Sequence, residues 1–127
     1  MIKKTIFIIS MIFSFFCCAQ KQEFTSVTPV DFEKLLKEDV SIQLVDVRRP
    51  EEYDSAHIYN AVLINVLDSG FVDKAKSMLD KSKPVAVYCR SGKRSKDAAN
   101  KLTKIGYKVY DLDSGYLGWV EAQSKIK

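Results

Sequence analysis

Residues 84–95 read Pro-Val-Ala-Val-Tyr-Cys-Arg-Ser-Gly-Lys-Arg-Ser. The first five predict a buried strand, residues 84–88. A short polar loop follows at Cys89 and contains Gly92, which can adopt backbone angles that other residues avoid. A helix is predicted next, over residues 95–105, and Gly106 is placed to end it. A strand that runs through a short loop into a helix is the repeating unit of α/β folds.

The same alternation continues on both sides of this stretch. Helices are predicted to begin at Thr28, an N-cap residue, and at Pro50. The other predicted elements are strands at residues 42–47, 61–66 and 107–112 and helices at 71–79 and 116–124. This order indicates one α/β domain with a parallel sheet and right-handed crossovers. Ligands of such sheets bind beyond the carboxyl ends of the strands, so the loop after residue 88 is a candidate for chemistry.

The composition narrows the class of protein. The 127 residues contain 20 Lys and Arg against 16 Asp and Glu, a net charge of +4. The excess is spread along the chain, so it does not indicate nucleic-acid binding. Five glycines and three prolines exclude a collagen-like or low-complexity chain. Three cysteines, two of them adjacent, and a single histidine argue against a disulfide scaffold and a zinc finger. We expect no metal and no cofactor.

The N-terminus has the pattern of an export signal. Basic residues 3–4 precede an uncharged, mostly apolar run at residues 5–16, and small residues follow. The run is shorter than the roughly 20 residues of a membrane span. We predict a signal peptide over residues 1–19 and a folded domain over residues 20–127. Two bacterial processing sites match: lipidation of Cys18, which we favour slightly, and ordinary cleavage before Gln20.

Either processing route predicts an exported protein that is periplasmic or is held at a bacterial membrane only through a lipid. The alternatives are a buried N-terminal helix and an uncleaved anchor. Both routes leave Cys89 as the free thiol of the folded domain. A lone cysteine in an exported protein indicates reactive chemistry or intermolecular pairing.

The loop that begins at Cys89 has the features of an anion site. Successive backbone N–H groups in such a turn can form a nest for an anion, and the following helix directs its positive end to the same point. Arg90, Lys93 and Arg94 add positive charge. These surroundings predict that Cys89 is a thiolate nucleophile. The alternative, a buried structural cysteine, leaves the three cations unexplained.

Four segments, taken in order, resemble the single-domain rhodanese family. The loop at residues 89–94 is similar to the active-site loop of that family, Cys-x-x-Gly-x-Arg. The others are residues 46–53, similar to Asp-Val-Arg-x-x-x-Glu-Tyr, residues 57–61, similar to His-Ile-x-Gly-Ala, and residues 113–119, similar to a closing Gly-Gly…Trp segment. The resemblance extends over residues 25–121, and the joint spacing is far more specific than any one segment.

The resemblance implies a central parallel sheet of about five strands with helices on both faces. It also implies sulfur transfer: the active cysteine takes sulfane sulfur from a donor such as thiosulfate, forms a persulfide and passes the sulfur on. The acceptor would be cyanide, a low-molecular-weight thiol or a thioredoxin-like protein, because the domain keeps no second thiol to resolve the persulfide.

The resemblance assigns roles to individual residues. Cys89 would be the nucleophile and the persulfide carrier. The donor-binding residues, whose backbone amides would surround the outer sulfur, are Arg90, Ser91, Gly92, Lys93, Arg94 and Ser95. The supporting residues are Asp46, Arg48, Glu52 and His57. We predict an ion pair between Arg48 and Glu52 beneath the loop. His57 is interpreted as a packed or capping residue that holds a turn, because a thiolate needs no general base.

The chain departs from the family pattern at three turn positions. Ala56 and Asn60 stand where glycines are usual, and Ser114 replaces the first glycine of the closing pair. Asparagine tolerates a left-handed backbone, whereas Ala56 requires ordinary backbone angles. These changes concern the shape of the turns and of the pocket, and they leave the nucleophile in place.

Two other functions match part of the pattern. A cysteine phosphatase or arsenate reductase also holds a thiolate in an anion-binding loop, but it requires Cys-x5-Arg. Here Arg94 is the fifth residue after Cys89 and Ser95 takes the arginine position, so the loop is one residue shorter. The other alternative is a rhodanese-like module that binds a partner or senses redox state without catalysis. The intact cysteine and its basic neighbours count against that alternative.

Overall fold

The structure of the chain is a computed structural model that describes residues 23–126. The strands are β1 (Thr25–Val27), β2 (Gln43–Asp46), β3 (Val62–Leu63), β4 (Val85–Tyr88) and β5 (Val109–Leu112). The helices are α1 (Pro29–Glu38), α2 (Pro50–Ser55), α3 (Phe71–Met78), α4 (Lys93–Lys104) and α5 (Gly115–Ser124). None of the helices between residues 23 and 126 has the length and apolar composition needed to span a membrane. The predicted signal peptide, including Cys18, lies outside the described residues.

The five strands form one parallel sheet in the order β1-β5-β4-β2-β3. The predicted α/β fold with a central parallel sheet is therefore confirmed. The chain crosses the sheet in one direction from β1 to β3 and returns through β4 to β5. Because crossovers between parallel strands are right-handed, this reversal places helices on opposite faces of the sheet. β4 occupies the middle of the sheet, and its carboxyl end leads directly to the loop at Cys89.

Alternate side chains of β4 enter the two apolar cores. Val87 belongs to a cluster that includes Leu102 of α4, and Tyr88 belongs to a second cluster that includes Phe32 of α1. All four side chains are completely buried, and the burial of both faces explains why β4 is continuously apolar. Cys89, the next residue, continues the alternation and lies on the α4 side. The predicted N-cap of α1 is confirmed, since Thr28 Oγ1 accepts a hydrogen bond from the Asp31 N–H at 3.2 Å.

Several elements differ from the sequence predictions, and three of the differences have a clear physical reason. The predicted strand at residues 61–66 is only two residues long, because β3 is an edge strand that pairs with β2 alone, although the Ile64 and Val66 N–H groups still donate to Asp46 and Val47. Helix α4 begins at Lys93 rather than residue 95, because the left-handed Gly92 turns the chain directly into the helix. β1 was not predicted: its three residues carry no periodic signal, and its pairing with β5 depends on a partner 85 residues away.

Candidate active site

Cys89 lies at the carboxyl end of the central strand with only 1% of its surface exposed. The Gly92 N–H donates to Cys89 Sγ at 3.1 Å. The thiol lies 3.6 Å from Ser95 Oγ, and the Ser95 hydroxyl donates to the Gly92 carbonyl at 3.1 Å. The sulfur therefore faces both a backbone donor and a hydroxyl that can rotate to donate to a thiolate. So little of Cys89 is exposed that only a small or extended reactant can reach the sulfur.

The backbone at Gly92 explains how the loop reverses within a few residues. Gly92 has φ of +101° and precedes the first turn of α4, which has no side-chain cap. A Cβ atom at this position would lie 1.9 Å from the carbonyl oxygen of Asp113. The first N–H groups of a helix have no acceptor within the helix. The start of α4 thus presents free amide donors and a positive dipole end beside Cys89.

Lys96 ties this loop to the end of β5, a role that the sequence analysis missed. Its ammonium group lies 3.1 Å from each of three oxygens, on Gly92, Asp111 and Asp113. Asp111 is fully buried and its second oxygen, Oδ1, has no hydrogen-bond partner among residues 23–126. Burial lowers the pKa of Lys96, but the two carboxylates outweigh burial and leave that pKa raised. The lysine showed no signal in the sequence, because its partners are known only from the fold.

The first turn of α5 supports the loop from the other side. The Tyr116 N–H donates to the Cys89 carbonyl at 2.8 Å, and the Leu117 N–H donates to the Arg90 carbonyl at 3.1 Å. Gly115 has φ of +65°, and a Cβ there would lie 2.4 Å from the Arg90 oxygen. This close backbone approach explains the glycine of the closing segment. The loop is therefore held by backbone contacts on both sides of the cysteine.

The predicted ion pair between Arg48 and Glu52 is wrong. Glu52 instead forms a two-pronged pair with Arg94, with N–O distances of 2.7 and 3.0 Å. Arg48 pairs with Asp46 at 2.7 Å, because residues two apart at the end of a strand point to the same side. The hydrogen bonds from Arg94 lower the pKa of Glu52, and Glu52 in turn raises the pKa of Arg94. The positive charge of Arg94 is therefore already paired with Glu52 beside the Cys89 loop.

The remaining predicted residues lie around the loop. Arg90, Ser91 and Lys93 are exposed on it. His57 is also exposed; its ring stacks on Tyr53 at 3.8 Å between centroids, and its Nδ1 lies 2.8 Å from the Tyr53 carbonyl. That geometry holds the turn after α2.

The structure specifies the backbone angle at all three turn departures. Asn60 has φ of +68°, the left-handed conformation that asparagine tolerates. Ala56 has φ of −168° and is ordinary extended backbone. Ser114 has φ of −89° and also lies outside the left-handed region. The chain therefore accommodates all three non-glycine residues without changing the loop at Cys89.

The fold and the site define a class of protein: a parallel α/β domain that holds one buried cysteine in an anion-binding loop after its central strand. The Rhodanese-like domain family matches residues 28–122. The chain is 38% identical over 80 residues to the thiosulfate sulfurtransferase GlpE of Tolumonas auensis, covering 62% of this chain and 73% of that protein. It is 35% identical over 89 residues to GlpE of Coxiella burnetii, covering 69% of this chain and 78% of that protein.

The solved structures agree with these relatives. A rhodanese-related protein from Thermoplasma volcanium superposes with a TM-score of 0.67 at 27% identity, covering 78% of this chain and 93% of that one. The chain belongs to the rhodanese-like domain family, and at the level of that family it is a sulfurtransferase of the rhodanese type.

Proposed function

We propose that the protein moves sulfane sulfur from thiosulfate, or a similar anionic donor, to cyanide or a thiol through a persulfide on Cys89. In the first half-reaction the Cys89 thiolate attacks the outer sulfur of thiosulfate. A new S–S bond forms to Cys89, the S–S bond of thiosulfate breaks, and sulfite leaves with the electron pair. The relatives named thiosulfate sulfurtransferases support this choice of donor.

In the second half-reaction the acceptor attacks the outer sulfur of the persulfide. With cyanide a C–S bond forms, the S–S bond to Cys89 breaks with its electron pair returning to the cysteine, and thiocyanate leaves. A thiolate acceptor reacts in the same way and leaves as a hydropersulfide. Neither half-reaction needs a metal or an external oxidant, since one S–S bond is exchanged for another bond to sulfur.

The observation that carries this proposal is the 3.1 Å hydrogen bond from the Gly92 N–H to Cys89 Sγ at the start of α4. A donor in that position stabilises negative charge on the sulfur. The neighbouring amides of α4 would do the same for the outer sulfur of the persulfide. Phosphatase chemistry is less well supported, because Arg94 is bonded to Glu52 and Ser95 occupies the position that the phosphatase pattern gives to arginine.

The test is the mass of the intact protein after incubation with thiosulfate. We expect a gain of one sulfur atom, its removal by cyanide, and ping-pong kinetics. Cys89→Ser should abolish the gain and the sulfurtransferase activity, while a change in melting temperature of only a few degrees would show that the variant is folded. Ser77→Ala, an exposed change on α3 outside the Cys89 loop, is the control and should retain the gain. Substantial turnover by Cys89→Ser, or phosphatase activity without sulfur transfer, would overturn the proposal.

We further propose that the protein is exported and that Cys18 is lipidated. The support is the basic, apolar and small-residue order of residues 1–19. Cys18→Ser should release the protein from the membrane fraction, and mass spectrometry should find the native N-terminus at Cys18. A mature chain that begins at Gln20 would favour ordinary cleavage, and one that keeps residues 1–16 would refute export processing.

A further inference from the structure

A cavity of about 240 Å³ lies beside the Cys89 loop, and the persulfide chemistry leaves it unassigned. Its walls come from the end of β2, from α2, from the loop and from the first turn of α5. The residues that matter here are Arg48, Glu52, Ala56, Arg90, Tyr116 and Leu117. The wall from α5 is fixed to the active-site backbone, because the Tyr116 and Leu117 N–H groups donate to the carbonyls of Cys89 and Arg90. A ligand in this cavity would therefore lie against Arg90, the residue that follows the reactive cysteine.

Arg48 is a buried cation that still has a free donor. Only 4% of the residue is exposed. Its Nε and Nη2 atoms bond to Asp46, and Nη2 also bonds to the Ala56 carbonyl. Nη1 makes no hydrogen bond among residues 23–126, and Arg48 lines the cavity. The two N–H groups of Nη1 are therefore available to a ligand there.

The charges around the cavity favour an anion. Arg90 is exposed and forms no ion pair within the described part of the chain. Glu52 also lines the cavity, but Arg94 occupies both of its carboxylate oxygens. Asp46 is likewise bonded through both oxygens to Arg48. The cavity is thus lined, within residues 23–126, by one unpaired cation, Arg90, and by the Arg48 guanidinium, whose Nη1 group makes no hydrogen bond there.

Apart from Ser55, the rest of the cavity surface is mostly apolar. Leu117 is 48% exposed, and Ala56 is also exposed. The Tyr116 ring lies beneath the Arg48 guanidinium, 4.6 Å from its carbon, and fixes that group in place. The guanidinium groups of Arg48 and Arg90 can donate to a carboxylate, and the apolar surface beside them can contact a short aliphatic chain. The cavity therefore suits a ligand that carries both.

We propose that this cavity is the subsite for the acceptor, and that it takes a small thiol that carries a carboxylate. The carboxylate would bond to Arg48 Nη1 and Arg90, and the aliphatic chain would lie on Leu117. The thiolate then attacks the outer persulfide sulfur: an S–S bond to the acceptor forms, and the bond to Cys89 breaks with its electron pair returning to the cysteine. This inference rests on the proposed sulfur transfer, and it adds the chemistry that selects the acceptor.

The kinetic test compares 3-mercaptopropionate with its neutral amide, 3-mercaptopropionamide, as acceptors. Leu117→Glu places a carboxylate at the cavity wall, and Leu117→Gln is the neutral control of the same size. We expect Leu117→Glu to raise KM for 3-mercaptopropionate about tenfold relative to Leu117→Gln, the loss of roughly one charge-assisted contact. KM for the amide, for cyanide and for thiosulfate should change less than about threefold. An equal rise for thiosulfate or for the amide would overturn the assignment.

A binding test separates this proposal from the sulfur-transfer proposal. The Cys89→Ser protein cannot form a persulfide, yet it retains the cavity. Titration of that variant with 3-mercaptopropionate should shift the backbone amide resonances of Tyr116 and Leu117, and 3-mercaptopropionamide should shift them much less. Binding without any sulfur transfer in the wild type would leave the carboxylate site standing and refute the reaction. Sulfur transfer without these shifts would refute the site.

Discussion

Replacing Gly115 with alanine should disable the active-site loop without touching a reactive side chain. Gly115 has φ of +65°, and an added Cβ would lie 2.4 Å from the Arg90 oxygen and 2.6 Å from the Ser91 nitrogen. Both contacts are backbone atoms, so no side-chain rotation relieves them. Ordinary contact begins at 3.4 Å, so the peptide between Arg90 and Ser91 must move by about 1 Å.

The cost has two parts. A left-handed alanine costs about 1–2 kcal/mol, and the displaced peptide adds about 1–3 kcal/mol, as overpacking does elsewhere. We expect a loss of about 3 kcal/mol in the free energy of unfolding, or roughly 12 °C or more in melting temperature for a domain of this size. A 1 Å displacement beside the nucleophile should also reduce kcat/KM for thiosulfate about 100-fold.

Two other glycines in this chain provide matched controls. Gly106 has φ of +99° with nothing within 4 Å of an added Cβ, so Gly106→Ala should show the backbone cost alone and keep its activity. Gly70 has ordinary angles and open space, so Gly70→Ala should change stability by no more than about 0.5 kcal/mol. The assays are urea unfolding and thiosulfate:cyanide turnover on all three variants at the same temperature. Equal turnover by the Gly115 and Gly106 variants would refute the view that the backbone contact at Gly115 positions Cys89.

Three further predictions concern charged residues around the loop. Lys96→Met should cost about 2 kcal/mol by thermal unfolding, because it leaves the buried Asp111 carboxylate without its cation, although the partial exposure of Lys96 moderates the loss. Glu52→Gln should cost about 1 kcal/mol at pH 7. The Arg94 hydrogen bonds lower the pKa of Glu52, so that difference should persist above the ordinary glutamate pKa, about 4.3, and disappear in urea titrations as the pH falls through the lowered value. Lys93→Glu should raise KM for thiosulfate, and the rise should shrink in high salt because Lys93 is exposed.

Each of these three predictions has an opposing outcome. An unchanged melting temperature for Lys96→Met would show that the contact between Lys96 and the buried Asp111 does not stabilise the fold. A Glu52→Gln deficit that stays constant down to strongly acid pH would show that the pair with Arg94 is not the source of the stability. A KM for thiosulfate that Lys93→Glu leaves unchanged at low salt would show that this side chain points away from the donor.

The sequence predicts those parts of the fold whose signal is local. β4 is continuously apolar because both faces of a central strand are covered, and α1 has a threonine cap followed by proline. The edge strands are predicted less well, since β1 carries no such signal and β3 is shorter than its predicted apolar run. β1 is three residues long and mostly exposed, and β3 pairs on one side only. Their positions depend on hydrogen bonds to distant strands, which no local pattern encodes.

The same distinction applies to the site. The cysteine, the glycine and the helix that follows are consecutive in sequence, so their joint effect on the sulfur can be predicted from order alone. The pairing of the arginines cannot be predicted in this way. Arg48 has two candidate carboxylates close in sequence, Asp46 two residues before it and Glu52 four residues after it. Arg94 determines the pairing, because the fold places α4 so that the Arg94 guanidinium bonds to both oxygens of the Glu52 carboxylate.

That choice also determines which charges remain available to a ligand. If Arg48 had paired with Glu52, both would be satisfied and Arg94 would be free to meet an anion at the cysteine, as the sequence analysis expected. Instead Glu52 neutralises Arg94, and Asp46 fixes Arg48 so that Nη1 stays open to the cavity beside Arg90. At the cavity the free positive charge therefore lies on the Arg90 side of the loop, whereas Lys93 is a separate exposed cation at the start of α4. Because opposite charge raises the local concentration of an anionic reactant, a carboxylate-bearing acceptor should approach Cys89 from that side.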